Sequence, residues 1–209
     1  MKRKFLAALA ISALCLTACD KKQDSDTVYE KDMPYGATLV AANNFSIPIQ
    51  YDKRFLTQKL LSKVADYYKS VENTDVSLYE NTIYPFYHDY MMQTVYEGKY
   101  TDKDLLQTEY DNFKQEYGKN FDFAFIDITA LDTDRNISDC ASLLSGLDNI
   151  AENQGKAKIS EKVKDICRMT ITVHMTDDGS EVRHETGKMV EDLSVFALNI
   201  DDTWYLIED

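Results

Sequence analysis

A chain of 209 residues with 23 basic and 36 acidic side chains carries a formal charge of −13, which excludes nucleic acid as a partner because phosphate binding needs clustered Lys and Arg. The same acidity repels anionic lipid head groups, so charge alone does not hold this protein on a membrane. The length suits one sizeable core with a tether and little more.

Lys2, Arg3 and Lys4 precede an apolar run from Phe5 to Leu16. Its twelve residues fall short of the roughly 20 that a helix needs to cross a bilayer, so it reads as the apolar region of a signal peptide. It ends in Leu16, Thr17, Ala18 and Cys19, a small residue before a single cysteine. This motif resembles the export signal of bacterial lipoproteins. The resemblance implies that residues 1–18 are removed, that the Cys19 sulfur receives a diacylglycerol, and that the new amino terminus is acylated. Two or three acyl chains anchor stably where one binds only marginally. The expected location is therefore the cell membrane, lipid-anchored and facing outside the cytoplasm, with the membrane itself as a partner. An ordinary cleaved signal, with the protein secreted free, is the alternative. Asp20 resembles a retention signal for the inner membrane of enteric Gram-negative bacteria. Without its first eighteen residues the chain keeps 20 basic and 36 acidic residues, a charge of −16.

Residues 19–34 are polar and almost free of apolar side chains before Val28. They read as a flexible tether with a root-mean-square span of about 20 Å, leaving 35–209 as a single domain. Gly36 to Gln50, interrupted by Pro48, suggests an extended segment laid on the domain. Asp52 is a candidate helix cap, followed by Phe55, Leu60, Leu61, Val64, Tyr67, Tyr68 and Val71 at helical spacing. A second helical stretch starts near Asp75 and carries Pro85, which forces a break or kink. Thr101 with Asp104 forms an approximate capping box for a third helix, which Gly118 ends.

The period then changes. Phe121 to Leu131 reads as a strand and Ser138 to Gln154 as a helix stopped by Gly155. From Cys167 to Met175 the alternation is strict, with Cys167, Met169, Ile171, Val173 and Met175 on one face. Asp178 and Gly179 form a hairpin turn into a strand region from Glu181 to Ile200, with a bulge near Gly187, and Asp201 and Asp202 turn into a last strand, Thr203 to Ile207. This order predicts an α+β fold with N-terminal helices packed into a curved antiparallel sheet, cone-like, and one additional helix after the first strand of that sheet. The closing hairpin, Asn199 to Ile207 with Trp204 and Tyr205, resembles that of the nuclear transport factor 2-like superfamily within the cystatin-like set. That family includes isomerases, dehydratases, small-ligand binders and structural modules, so the resemblance implies a cone and leaves the function open.

Within such a cone the two-residue turn sets Val173 opposite His184. His184 is thus the candidate polar residue of a pocket, as general base or ligand donor, with a core position near a hairpin end as the plainer reading. His174 falls on the polar face and His88 at a core edge. Cys140 and Cys167 read as two buried thiols rather than a disulfide. Asp132, Asp134, Asn136 and Ser138 alternate like the start of a calcium loop. However, Ile137 stands at the glycine position and Leu143 at the glutamate position, so a strand-to-helix turn capped by Ser138 or Asp139 is the better account. The tyrosine stripe of Tyr67, Tyr68, Tyr84, Tyr87 and Tyr90 reads as core. No cofactor or metal is expected. The sequence supports a binding or interaction module for a small apolar or amphiphilic ligand or an envelope protein, with an isomerase or hydrolase using His184 as the alternative.

Overall fold

Leu39–Ala42 (β1) and Ile49–Asp52 (β2) pair antiparallel, with Leu39 opposite Asp52. This corrects the expectation of an extended segment merely laid on the domain, because β2 also pairs in parallel with β3 through Ile49–Ile126 and Gln50–Asp127. Pro48 is tolerated since it stands just before β2, where its missing N–H removes no ladder bond. Its carbonyl accepts the Ile126 amide at 2.9 Å. The structure is a computed structural model that describes residues 33–177, 180–181 and 189–207, with the backbone alone at 177, 180–181 and 189–192. Cys19 and the tether therefore lie outside the described residues, apart from their last two positions.

Helix α1 (Gln58–Asn73) starts at Thr57, whose hydroxyl accepts the Leu60 amide at 3.3 Å. Thr57 is the cap, not Asp52, which ends β2 instead. Leu56 and Leu61 occupy the two positions of a hydrophobic staple and both are buried. Asp75 caps α2 (Val76–Glu80). Pro85 opens α3 (Pro85–Tyr90) at its first turn, so it breaks the helical run rather than kinking it. A π-helical turn, Met91–Val95, follows. The Thr101–Asp104 capping box forms in both directions at the start of α4 (Asp102–Tyr117), and Gly118 ends that helix. Then come β3 (Phe121–Asp132), α5 (Ser138–Asn153), β4 (Val163–Asp177), β5 (Ser180–Glu181), β6 (Met189–Ile200) and β7 (Thr203–Ile207). Helix α5 is preceded by Ile137 without a side-chain cap bond, so neither Ser138 nor Asp139 caps it.

The fold is α+β. The sheet runs β1-β2-β3-β4-β6-β7 with β5 beside β4, and it is antiparallel except for the β2–β3 pair, so it is mixed and not closed. Register shifts interrupt the β3–β4 ladder at Phe123/Phe125 and Ile128/Ala130, the kind of bulge at which strands bend. The Asp178–Gly179 hairpin keeps its expected register for two rungs, Asp177–Ser180 and Thr176–Glu181. Beyond them the partner of Val173 is Val190 and that of His174 is Met189, so Val173 does not lie opposite His184. His184 itself lies outside the described residues.

Period-2 alternation sorts the apolar residues of β4, β6 and β7 into two cores. Cys167, Met169, Ile171, Val173, Met175, Ala197 and Leu206 face one side, where they pack with residues of α1, α4 and β3 such as Leu60, Leu61, Val64, Leu106, Phe121 and Ile126. Ile166, Leu198, Ile200 and Ile207 face the other, where α5 covers them with Cys140, Leu144, Leu147 and Ala151. The outer edge of β7 is not left open: the Leu206 amide donates to the Thr82 carbonyl at 2.8 Å, and the Tyr84 amide donates to the Leu206 carbonyl at 2.9 Å. Contact grouping places Pro34 onward in one unit, and both apolar clusters belong to it. No described helix is long and apolar enough to cross a membrane.

Candidate functional site: a cleft at one end of the sheet

Strand directions bring several termini to one place. Because β3 runs parallel to β2 and β4 antiparallel to both, β2 and β3 finish at the end of the sheet where β4 and β7 begin. Helix α1 starts there as well, and a cleft of about 450 Å³ opens between them. That volume is within the range of small-molecule sites. Phe55, Leu56, Leu60, Ile166, Cys167 and Trp204 contribute to its lining, Phe55 and Trp204 with the more exposed side chains, and Thr57, Thr133, Arg135, Lys164 and Asp165 supply the polar groups.

The polar groups are held to different degrees. Arg135 donates to the carbonyls of Ser160 at 2.9 Å and Val163 at 3.2 Å, which fixes the guanidinium at the α5–β4 connection. Lys164 pairs with Asp202 at 2.7 Å, but both side chains are exposed, and such a bridge is worth little, so the ammonium is free to turn toward a ligand. Asp165 accepts from Asn199 Nδ2 at 2.9 Å. Asn199 stands between Asp165 and Trp204 in the ladder. Its Oδ1 is buried and makes no hydrogen bond among the described residues. The lining thus sets two cations, Arg135 and Lys164, beside the Asp165 carboxylate, with Asp202 paired to Lys164.

Beside the cleft, a buried ion pair fixes the entry of the chain. Asp52 is 0 % exposed. It accepts Arg54 Nε at 2.9 Å and Nη2 at 2.5 Å, the Thr38 hydroxyl at 2.7 Å and the Gly36 amide at 3.0 Å. Arg54, and then Thr38, hold its carboxyl well below the usual carboxylate range against the opposing effect of burial. The same guanidinium donates to the Pro34 carbonyl at 2.8 Å and lies 4.7 Å from the centroid of the Phe55 ring. Tyr35 completes the clamp by donating to the Ile128 carbonyl at 3.0 Å, and burial pushes its phenol up to about 12.

The face expected to line a cone cavity is filled instead. Met169, Ile171, Val173 and Met175 are all fully buried under α1 and α4. His88 is buried edge-on to Tyr79, and its Nε2 lies 2.9 Å from Asp102 Oδ1, tying α3 to α4 as a core-edge residue. His174 is half-buried with its ring against Phe125, rather than freely solvated. Glu109 is held between α4 and α1 by the Tyr67 hydroxyl, 3.4 Å from both its oxygens, and burial raises its carboxyl. In the former calcium-like stretch, Asp134 accepts the Asn136 amide at 2.8 Å and thereby closes the turn. Asp132 binds Arg168 at 2.6 Å, and Arg168 also reaches Asp139 at the start of α5.

Cys140 and Cys167, the two cysteines among the described residues, are free and buried. They belong to separate apolar clusters, Cys140 on α5 and Cys167 on the face packed with α1, and they are not bonded to each other. Burial pushes the Cys167 thiol up to about 12. Neither thiol of the folded protein is therefore expected to react with dithionitrobenzoate, and both should react at once in denaturant. Rapid labelling of one native thiol would contradict the packing described.

Comparison of the chain with protein-family models, characterised proteins and solved structures returned no match. Of the cleft residues, sequence reasoning singled out Trp204 only as part of the closing hairpin, and Phe55 only as helix core. Arg135 and Lys164 carry no motif, and they meet only because β3, β4 and α1 share an end. One signal was present: Phe55 precedes a Leu–Thr staple-and-cap pair, so it stands outside the helix and off its buried stripe.

Proposed function

We propose that this protein is a lipid-anchored, extracytoplasmic binding module that takes a small amphiphilic ligand in the cleft at the start of α1. The carrying observation is the composition of that cleft. An apolar tail fits against Phe55 and Trp204, while a head group meets Arg135 and Lys164 at the rim. Arg135 and Lys164 offer charge-assisted hydrogen bonds to an anionic head. Lipidation at Cys19 is the anchor in this reading, and it rests on the signal-like segment of the sequence.

Trp204 is the single tryptophan of the chain and lines the cleft, so its emission reports on the site directly. Titration with dodecanoate below its critical micelle concentration is expected to give a saturable blue shift that ends at one equivalent. An unchanged emission maximum throughout the titration would count against the reading.

A further inference from the structure

The described part of the chain begins at the same end of the fold as the cleft. Pro34 is held there by Arg54, and the Tyr35 ring lies 5.9 Å from Phe55, which itself forms part of the cleft wall. Two of the four large apolar side chains that stand exposed among the described residues belong to this end: Leu39 at 43 % and Phe55 at 41 %. Leu39 lies directly opposite Asp52 in the ladder, two residues before Arg54. Lys53 and Lys59 are exposed nearby. Of the other two, Val95 ends the π-helical turn and Tyr100 stands on the connection from it to α4, and neither lines the cleft.

An apolar pair flanked by lysines, beside the root of the chain and at the mouth of a cleft, has the character of a surface that settles into the head-group region of a bilayer. The length of chain outside the domain supports the same occupant. Asp20 to Pro34 is a run of fifteen residues, a tether whose span is about 20 Å. A lipid anchor there keeps the head-group layer within reach of this end and raises its effective concentration.

We propose that this end of the domain is a bilayer-contacting surface with Leu39 and Phe55 as its apolar rim, so that the cleft is filled from the lipid phase. The proposal rests on the cleft reading, and it adds the source of the ligand. The contact is apolar rather than electrostatic, because the net charge of −13 opposes anionic head groups.

The test uses residues 20–209, which retain both apolar clusters and lack the anchor. Co-sedimentation with phosphatidylcholine vesicles should show measurable binding. Phe55→Glu and Leu39→Glu should each lower the partition coefficient about tenfold, whereas Val95→Glu and Tyr100→Glu should leave it unchanged. Absence of vesicle binding by the unsubstituted chain would overturn the proposal, and so would an equal loss in Val95→Glu. Leu39 does not line the cleft, so Leu39→Glu should still bind soluble dodecanoate as judged by Trp204. That readout separates failure of the membrane contact from failure of the cleft itself.

Discussion

Replacing Asp52 with alanine is expected to destabilise the protein by about 3 to 5 kcal/mol, since removal of one partner leaves a buried guanidinium uncompensated. For a domain of this size that corresponds to a fall of roughly 10 °C in melting temperature. The Arg54 side chain is only 10 % exposed, so water does not replace the lost carboxylate. Five groups lose an acceptor together: the guanidinium, which keeps only weaker partners such as the Pro34 carbonyl, the Thr38 hydroxyl, and the amides of Gly36, Thr38 and Arg54. Arg54→Ala should cost a similar amount for the converse reason. The double variant should cost less than the sum, because the second change removes a charge already left unpaired.

The same clamp gives acid sensitivity a definite sign. Arg54 depresses the Asp52 carboxyl in the folded state relative to about 3.9 in the unfolded chain. A depressed carboxylate contributes stability that is fully present above the unfolded value and is lost as pH falls through the folded one. Denaturation midpoints measured from pH 7 downward should therefore fall below about pH 4 by more in the natural protein than in Asp52→Asn. Parallel pH profiles would remove Asp52 as the source.

Filling the cleft is the second large effect. Thr133 is exposed on the cleft wall, at the turn after β3, where it makes no contribution to either core. Thr133→Phe should project a ring into the space between α1 and β4 and abolish the Trp204 response to dodecanoate. The change in stability should stay within about 0.5 kcal/mol, as for a surface substitution away from caps and buried polar groups. Loss of binding with an unchanged melting temperature is the expected pair of results. Retained binding would move the ligand elsewhere.

Local patterns were legible in the sequence where one interaction decided the outcome. The Thr101–Asp104 box, the break at Pro85 and the Cys167–Met175 alternation each depend on neighbours in the chain, and each took the expected form. Long-range pairing was not legible. The parallel β2–β3 contact joins residues 77 apart and places β2 inside the sheet, a choice that no periodicity near Pro48 reveals. The cap of α1 was misassigned to Asp52 because Asp is a good cap residue, whereas here its carboxylate is engaged by Arg54 and Thr38. Beyond Asp178–Gly179 the partners on β6 lie six residues further along at Val173 and His174 and seven further from Ile171 to Asp165, because a register shift stands between Ile171 and Val173, and no periodicity reveals either offset. The cleft was invisible for the same reason as the sheet order, since its residues come from α1, β4, β7 and the turn after β3.

A cleft that binds an amphiphile should still hold one when the natural protein is isolated gently. Native mass spectrometry of the protein purified from the cells that make it tests this most directly. The natural chain should carry one bound amphiphile per molecule, in addition to any covalent lipid, and Thr133→Phe should carry none. Equal masses for the two, after allowing for the substitution itself, would contradict it.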